Sequence, residues 1–286
     1  MSSAGRDMLN IGCGRTLHPD WINIDVSPAS ADVMRWDVNA GLPFADGSFD
    51  AVYCSHVLEH LVPEQAQALA GHMLRVLRPG GVARVVVPDL EAIAREYLRA
   101  LEDVESGIRQ REPDYDWMVL ELLDQAVRSV PGGRMGTFLS RQALPNRSFI
   151  LSRVGAEAQQ FWDKLARGGR MSQLADGGPG TLWRLARNHL RPVDTLAGWL
   201  ARLVSGRNAQ VALREGMFRR SGEVHQWMYD RFSLARMLRD SGFEQVNRAT
   251  AHSSAIPGFA NFYLDVGRDG AVRKPDSLYM EGVRTA

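Results

Sequence analysis

The stretch Leu9-Asn10-Ile11-Gly12-Cys13-Gly14 decides the fold. It is a short apolar run that ends in two glycines one residue apart, as a strand does where the chain turns back over its own end. Glycines at that place let the backbone approach a bound ligand closely. A dinucleotide fingerprint needs a third glycine, and that position is Leu17, so binding of a nicotinamide dinucleotide is disfavoured.

Four more short runs follow outward from this one. They are Trp21–Asp25, Val33–Trp36, Phe49–Cys54 and Val82–Val87, each rich in β-branched or aromatic residues. Between the last two, Ala66, Leu69, Ala70, Met73 and Leu77 recur at helical spacing over Glu64–Leu77, and Arg78-Pro79-Gly80-Gly81 stops the helix. Strands alternating with helices predict a doubly wound, mostly parallel α/β sheet. The link from Gly14 to Trp21 is too short for a crossover helix, so one side of the sheet is expected to be thin there. Near the end, Phe232–Ser241 reads as a helix, and Val246–Ala249 and Phe262–Val266 read as two antiparallel strands.

Residues 106–220 differ in style. They carry Gly and Pro clusters and no strand signal, and they read as a helical cap inserted after the fifth strand. The expected division is a ligand-binding domain over 1–105 and 221–270, a cap over 106–220 and a tail over 271–286. The net charge of +1 conceals an asymmetry: residues 1–127 carry −10, residues 128–220 carry +11, and the remainder is neutral.

Composition excludes several classes. An apolar fraction of 45% and a charged fraction of 23% describe a globular chain, not a disordered one. Cys13 and Cys54 are too few for a disulfide scaffold and match no metal spacing. No apolar run has membrane-spanning length and the first residues lack a signal-peptide core, so a cytoplasmic location is expected, with contact at the inner face of the membrane left open.

Asp25 closes the second run, Asp37 follows the third, and LPFADGSFDAVYCSHVLEHL (42–61) leads to LRVLRPGGVARVVVPD (74–89). This ordered series resembles the class I S-adenosylmethionine-dependent methyltransferases, over about 1–90 and 225–267. It is most similar to a bacterial branch of predicted methyltransferases marked also by HQWMYD (225–230), a branch associated with cell-surface polysaccharide and secondary metabolites. The resemblance implies a seven-stranded Rossmann-like sheet with an antiparallel edge hairpin, and S-adenosylmethionine as cofactor. It implies that Gly12 and Gly14 lie beside the methionine part, Asp25 at the ribose, Asp37 and Val38 at the adenine, and Ser55 and His56 near the sulfonium. Asn10 stands where the family has an acid that contacts the cofactor's ammonium.

The function expected is O-methylation of a sugar, glycan or secondary-metabolite hydroxyl. A hydroxyl must shed a proton as it is methylated, and histidine is poised for that near neutral pH. His225, His56 and Asp89 are the catalytic candidates, with lid packing and helix capping as the bland readings of His225 and Asp89. Two alternatives stand beside this one. A non-catalytic binding protein in a biosynthetic assembly fits Asn10. A nucleic-acid methyltransferase fits the basic insert, but CSHV (54–57) is not the Pro-Pro-aromatic motif used on base amines. HVLEH (56–60) places its glutamate wrongly for HExxH, so no metal is expected. In the insert, Leu182, Trp183, Leu185, Ala186 and Leu190 oppose Arg184, Arg187 and Arg191 on a helical wheel. Such a helix packs on a core or meets an anionic partner, such as anionic lipid or a phosphorylated glycan.

Overall fold

A computed structural model describes residues 7–167 and 192–285. Seven strands form one sheet: β1 (Met8–Ile11), β2 (Ile22–Asp25), β3 (Met34–Arg35), β4 (Phe49–Ser55), β5 (Leu77–Pro88), β6 (Glu244–Ala249) and β7 (Ser277–Val283). Their order is β3-β2-β1-β4-β5-β7-β6. The first five are parallel neighbours, and β7 runs antiparallel between β5 and β6. The α/β architecture is the one expected, and no helix joins β1 to β2.

Among the described residues, the helices are α1 (Pro63–Val76), α2 (Leu90–Glu105), α3 (Glu112–Val127), α4 (Gly133–Leu139), α5 (Arg147–Val154), α6 (Ala156–Ala166), α7 (Pro192–Arg219, broken at Gly206) and α8 (Arg231–Asp240). On one face of the sheet, Leu9, Ile11, Val52, Cys54, Val85 and Val87 pack beneath α1 and α8. On the other, Met8, Tyr53 and Val86 meet Trp21, Ile256, Phe259 and Leu264. That second face is covered by turns and loop, because the β1–β2 link is short. Helices α2 to α6 enclose a separate core around Trp117, Phe138, Ile150 and Phe161.

The last strand differs from expectation. Phe262–Val266 is not a strand: a 3₁₀ turn spans Phe259–Phe262 and Tyr263 has φ 53°. Its place is taken by β7, within the stretch set apart as a tail. SLYMEGV reads weakly as a buried strand because it carries Glu281, yet Glu281 is buried against Arg84 on β5. β5 itself begins five residues earlier than expected and runs through the Arg78–Gly81 breaker, where Gly80 and Gly81 exchange backbone hydrogen bonds with Arg284. The amphipathic stretch 181–191 lies outside the described residues.

Candidate active site

The carboxyl ends of β1, β4 and β5 open into a cleft of about 270 Å³. Three regions wall it. Asn10, Gly12, Cys13, Arg15 and Thr16 come from the end of β1 and its turn; Tyr53, Ser55 and Val86 come from β4 and β5. The third wall is distant in sequence: Glu157 and Gln160 from α6, and Asp265, Arg273, Lys274 and Tyr279 from the chain end.

The β1 turn is tightly fixed. The amide of Gly12 donates to Ile24 O at 2.9 Å, and the amide of Gly14 to the Asp25 carboxylate at 2.9 Å. The amide of Ser27 donates to the other Asp25 oxygen at 2.7 Å. Both glycines have positive φ, 63° and 53°, where a side chain is strained. Asn10 is buried; its Nδ2 donates to Thr16 O and to Asn23 Oδ1, whereas its Oδ1 has no partner. An orphaned acceptor at the cleft wall suits a cationic ligand group, since an unpaired buried acceptor is costly.

Across the cleft, Arg84 is fully buried and forms ion pairs at 2.7 Å with both Asp265 and Glu281. The Tyr53 hydroxyl donates to Asp265 at 2.5 Å. Burial raises the Asp265 carboxyl, an effect that Arg84 and the Tyr53 hydrogen bond oppose without cancelling. Lys274 pairs with Glu157 at 3.0 Å. Burial pushes the Glu157 carboxyl up, but the paired Lys274 ammonium outweighs it and leaves it below its usual range.

The sequence-derived residues divide into groups. Asn10, Gly12 and Ser55 line the cleft, and Gly14 and Asp25 are bound to one another at its edge. Asp37 is exposed at the next strand end and caps a 3₁₀ turn that begins at Val38, accepting from the Asn39 amide. His56 follows Ser55 with φ 53°; its Nε2 lies 2.9 Å from Ser277 Oγ. Burial, reinforced by the Lys274 charge, holds its pKa well below the usual value, so it is neutral.

The other two catalytic candidates sit elsewhere. Asp89 caps α2 by accepting from the Ala92 amide and pairs with Arg248 at 3.3 Å. His225 is buried against His60, with ring centroids 4.8 Å apart, and is absent from the cleft wall. A junction expected to close over an acceptor is instead clamped: the amides of Gln226 and Trp227 donate to Glu59 O. Sequence reasoning missed Glu157, Lys274 and Asp265 as site residues; Asp265 lies in the run Phe262–Val266 that reads as a strand, and no local pattern marks Glu157 or Lys274 for the cleft. Arg84 did carry a signal, as one cation inside the apolar run VARVVV.

Residues 9–85 match a family described as a methyltransferase domain. A demethylmenaquinone methyltransferase of Beutenbergia cavernae is 37% identical over 99 residues, covering 32% of this chain and 38% of that protein. An uncharacterized methyltransferase of Synechocystis sp. is 42% identical over 45 residues, covering 16% of this chain and 21% of that one. The chain thus spans well under half the length of either relative. A SAM-dependent methyltransferase from Archaeoglobus fulgidus aligns over 98% of this chain and 86% of its own, at 11% identity and a TM-score of 0.36. Residues 9–85 are thus similar to a methyltransferase domain.

Proposed function

We propose that this chain transfers a methyl group from S-adenosylmethionine to a hydroxyl of a sugar, glycan or secondary metabolite. One observation carries the reading: the Gly12–Gly14 turn, tied to Asp25, opens beside Ser55 into a cleft whose far wall is polar. Asn10, Gly12, Gly14, Asp25, Asp37, Val38 and Ser55 are the residues assigned to the cofactor. Asn10 Oδ1 accepts from its ammonium, the glycine turn admits its methionine part, and Asp25 receives its ribose hydroxyls. The bound cofactor supplies an already activated methyl group.

The protein's share is to align the acceptor and exclude water. Arg15, Gln160, Arg273 and Lys274 offer hydrogen-bond donors suited to a polyhydroxyl acceptor. In this reading Glu157 receives the acceptor's proton, since it is the ionised carboxylate on the cleft wall, and Lys274 orients it. His56 positions Ser277, Asp89 caps α2 and His225 lies behind the cleft. The test is titration with S-adenosylmethionine, followed by release of S-adenosylhomocysteine over a panel of sugars, glycans, phenols and nucleic acids. Binding with turnover on a hydroxyl compound supports the reading. Binding without turnover on any member favours a non-catalytic partner, and turnover on nucleic acid overturns the acceptor class.

For the partner of 128–220 we keep an anionic surface, a lipid or a phosphorylated glycan, reached from the cytoplasmic side. On α7, Leu196, Trp199, Leu203 and Val204 are exposed beside Arg202 and Arg207, a mixture suited to an anionic interface. No helix among the described residues is long and apolar enough to cross a membrane. Co-sedimentation that depends on anionic lipid and weakens with salt is the expected outcome. Equal partition onto neutral and anionic vesicles contradicts it.

A further inference from the structure

Behind the end of β4 lies a second group of side chains that the methyl-transfer reading does not use. Glu59 and His60 sit in the 3₁₀ turn Leu58–His60, and His225 arrives from the segment before α8. One ligand atom from each of the three lies within 4.8 Å of the others. Backbone bonds build the arrangement: the Gln226 and Trp227 amides donate to Glu59 O, and the His225 amide donates to Gln125 O.

The polar atoms of this group are orphaned. Both Glu59 carboxylate oxygens, His60 Nδ1, His225 Nδ1 and the nearby Tyr229 hydroxyl are buried without a hydrogen-bond partner. His56 Nδ1 lies 3.0 Å from Glu59 Oε1, close enough for an ion pair but without hydrogen-bond geometry. A protein rarely leaves so many buried polar groups unpaired at one place, because each costs about 1–3 kcal/mol and a charge costs more. One cation among them would satisfy several at once.

We propose that Glu59, His60 and His225 bind a divalent first-row transition ion of the zinc class. Two imidazoles and one carboxylate are a ligand set that such ions accept, leaving positions for further ligands. Bonds to imidazole nitrogen and carboxylate oxygen of about 2.0–2.2 Å place ligand atoms somewhat closer than 4.8 Å, so the turn and the His225 segment close modestly on the ion. The rings are prepared for ligation. His60 Nδ1 and His225 Nδ1 are both buried without a partner, which leaves each free to ligate. HVLEH does not follow the HExxH spacing; the third ligand comes from 165 residues later in the chain.

The experiment uses the full chain without a polyhistidine tag, stripped with chelator and dialysed against Zn²⁺ or Co²⁺. Metal per chain is measured directly, with Co²⁺ absorption as a report on the ligands. One tight equivalent is expected, with ligand-field bands in the Co²⁺ form. Glu59→Gln and His225→Ala should each weaken binding by about 100-fold or more, while exposed His252→Ala leaves it unchanged. A wild-type chain that binds no ion overturns the proposal, whether or not the variants fold. Binding that survives in both ligand variants, or is lost in His252→Ala, assigns the metal elsewhere and overturns it equally.

Discussion

Gly12 approaches Val57 so closely that a β-carbon on Gly12 would lie 2.3 Å from Val57 Cγ2. The glycine turn after β1 and the turn after β4 are therefore packed as one unit, which holds the two strand ends that frame the cleft. Gly12→Ala meets both this clash and a positive φ. It should destabilise the protein by about 1–3 kcal/mol in denaturant unfolding. Val57→Ala should restore part of the loss when combined with it, and strictly additive effects would show that the two residues do not press on each other.

Arg84 pairs with two buried carboxylates, Asp265 and Glu281. Arg84→Met should cost about 3–5 kcal/mol, because Asp265 and Glu281 are left buried without their cation. Urea unfolding measures this. A loss below about 1 kcal/mol would mean that the carboxylates find other partners.

The Asp276 carboxyl is pushed up to about 7, first by burial and then by the charges of Glu121 and Glu157. The native chain thus keeps a proton that the unfolded chain releases near its ordinary value of 3.8. This contribution is fully present below about pH 4 and is lost as the pH rises through about 7. Between pH 5 and pH 8 the wild type should lose on the order of 1–3 kcal/mol more than Asp276→Asn. Equal losses in the two chains would contradict the assignment.

Glu157→Gln should leave S-adenosylmethionine affinity unchanged and lower kcat by about 10²–10⁴-fold, the range of a positioned general base. Unchanged kcat on the true acceptor would remove Glu157 from the proton-transfer role.

The first ninety residues were legible because their signals are local. A glycine pair, an acid at a strand end and an apolar run bounded by a breaker each sit within a few residues of the structure they specify. The last strand was not, because Glu281 is buried only in partnership with Arg84, 197 residues earlier. FYLDV (262–266) has strand composition, but Asp265 is committed to Arg84 and Tyr53, and the chain turns there. The cleft was half legible. Asn10, Gly12 and Ser55 stood out, whereas Glu157 and Lys274 reach it only through tertiary packing of α6 and the chain end. Glu59, His60 and His225 were each conspicuous in sequence, and only the fold brings them together.

The central claim is that S-adenosylmethionine binds where the β1 turn meets Asp25. Calorimetric titration of the wild type and of Asp25→Ala tests it most directly. The account predicts one site per chain, with affinity at least tenfold weaker in the variant, since hydrogen bonds to a charged acceptor are worth roughly 1.5–3 kcal/mol each. Circular dichroism of the variant should show the fold retained. No binding to the wild type, or equal affinity in a folded Asp25→Ala chain, would contradict it.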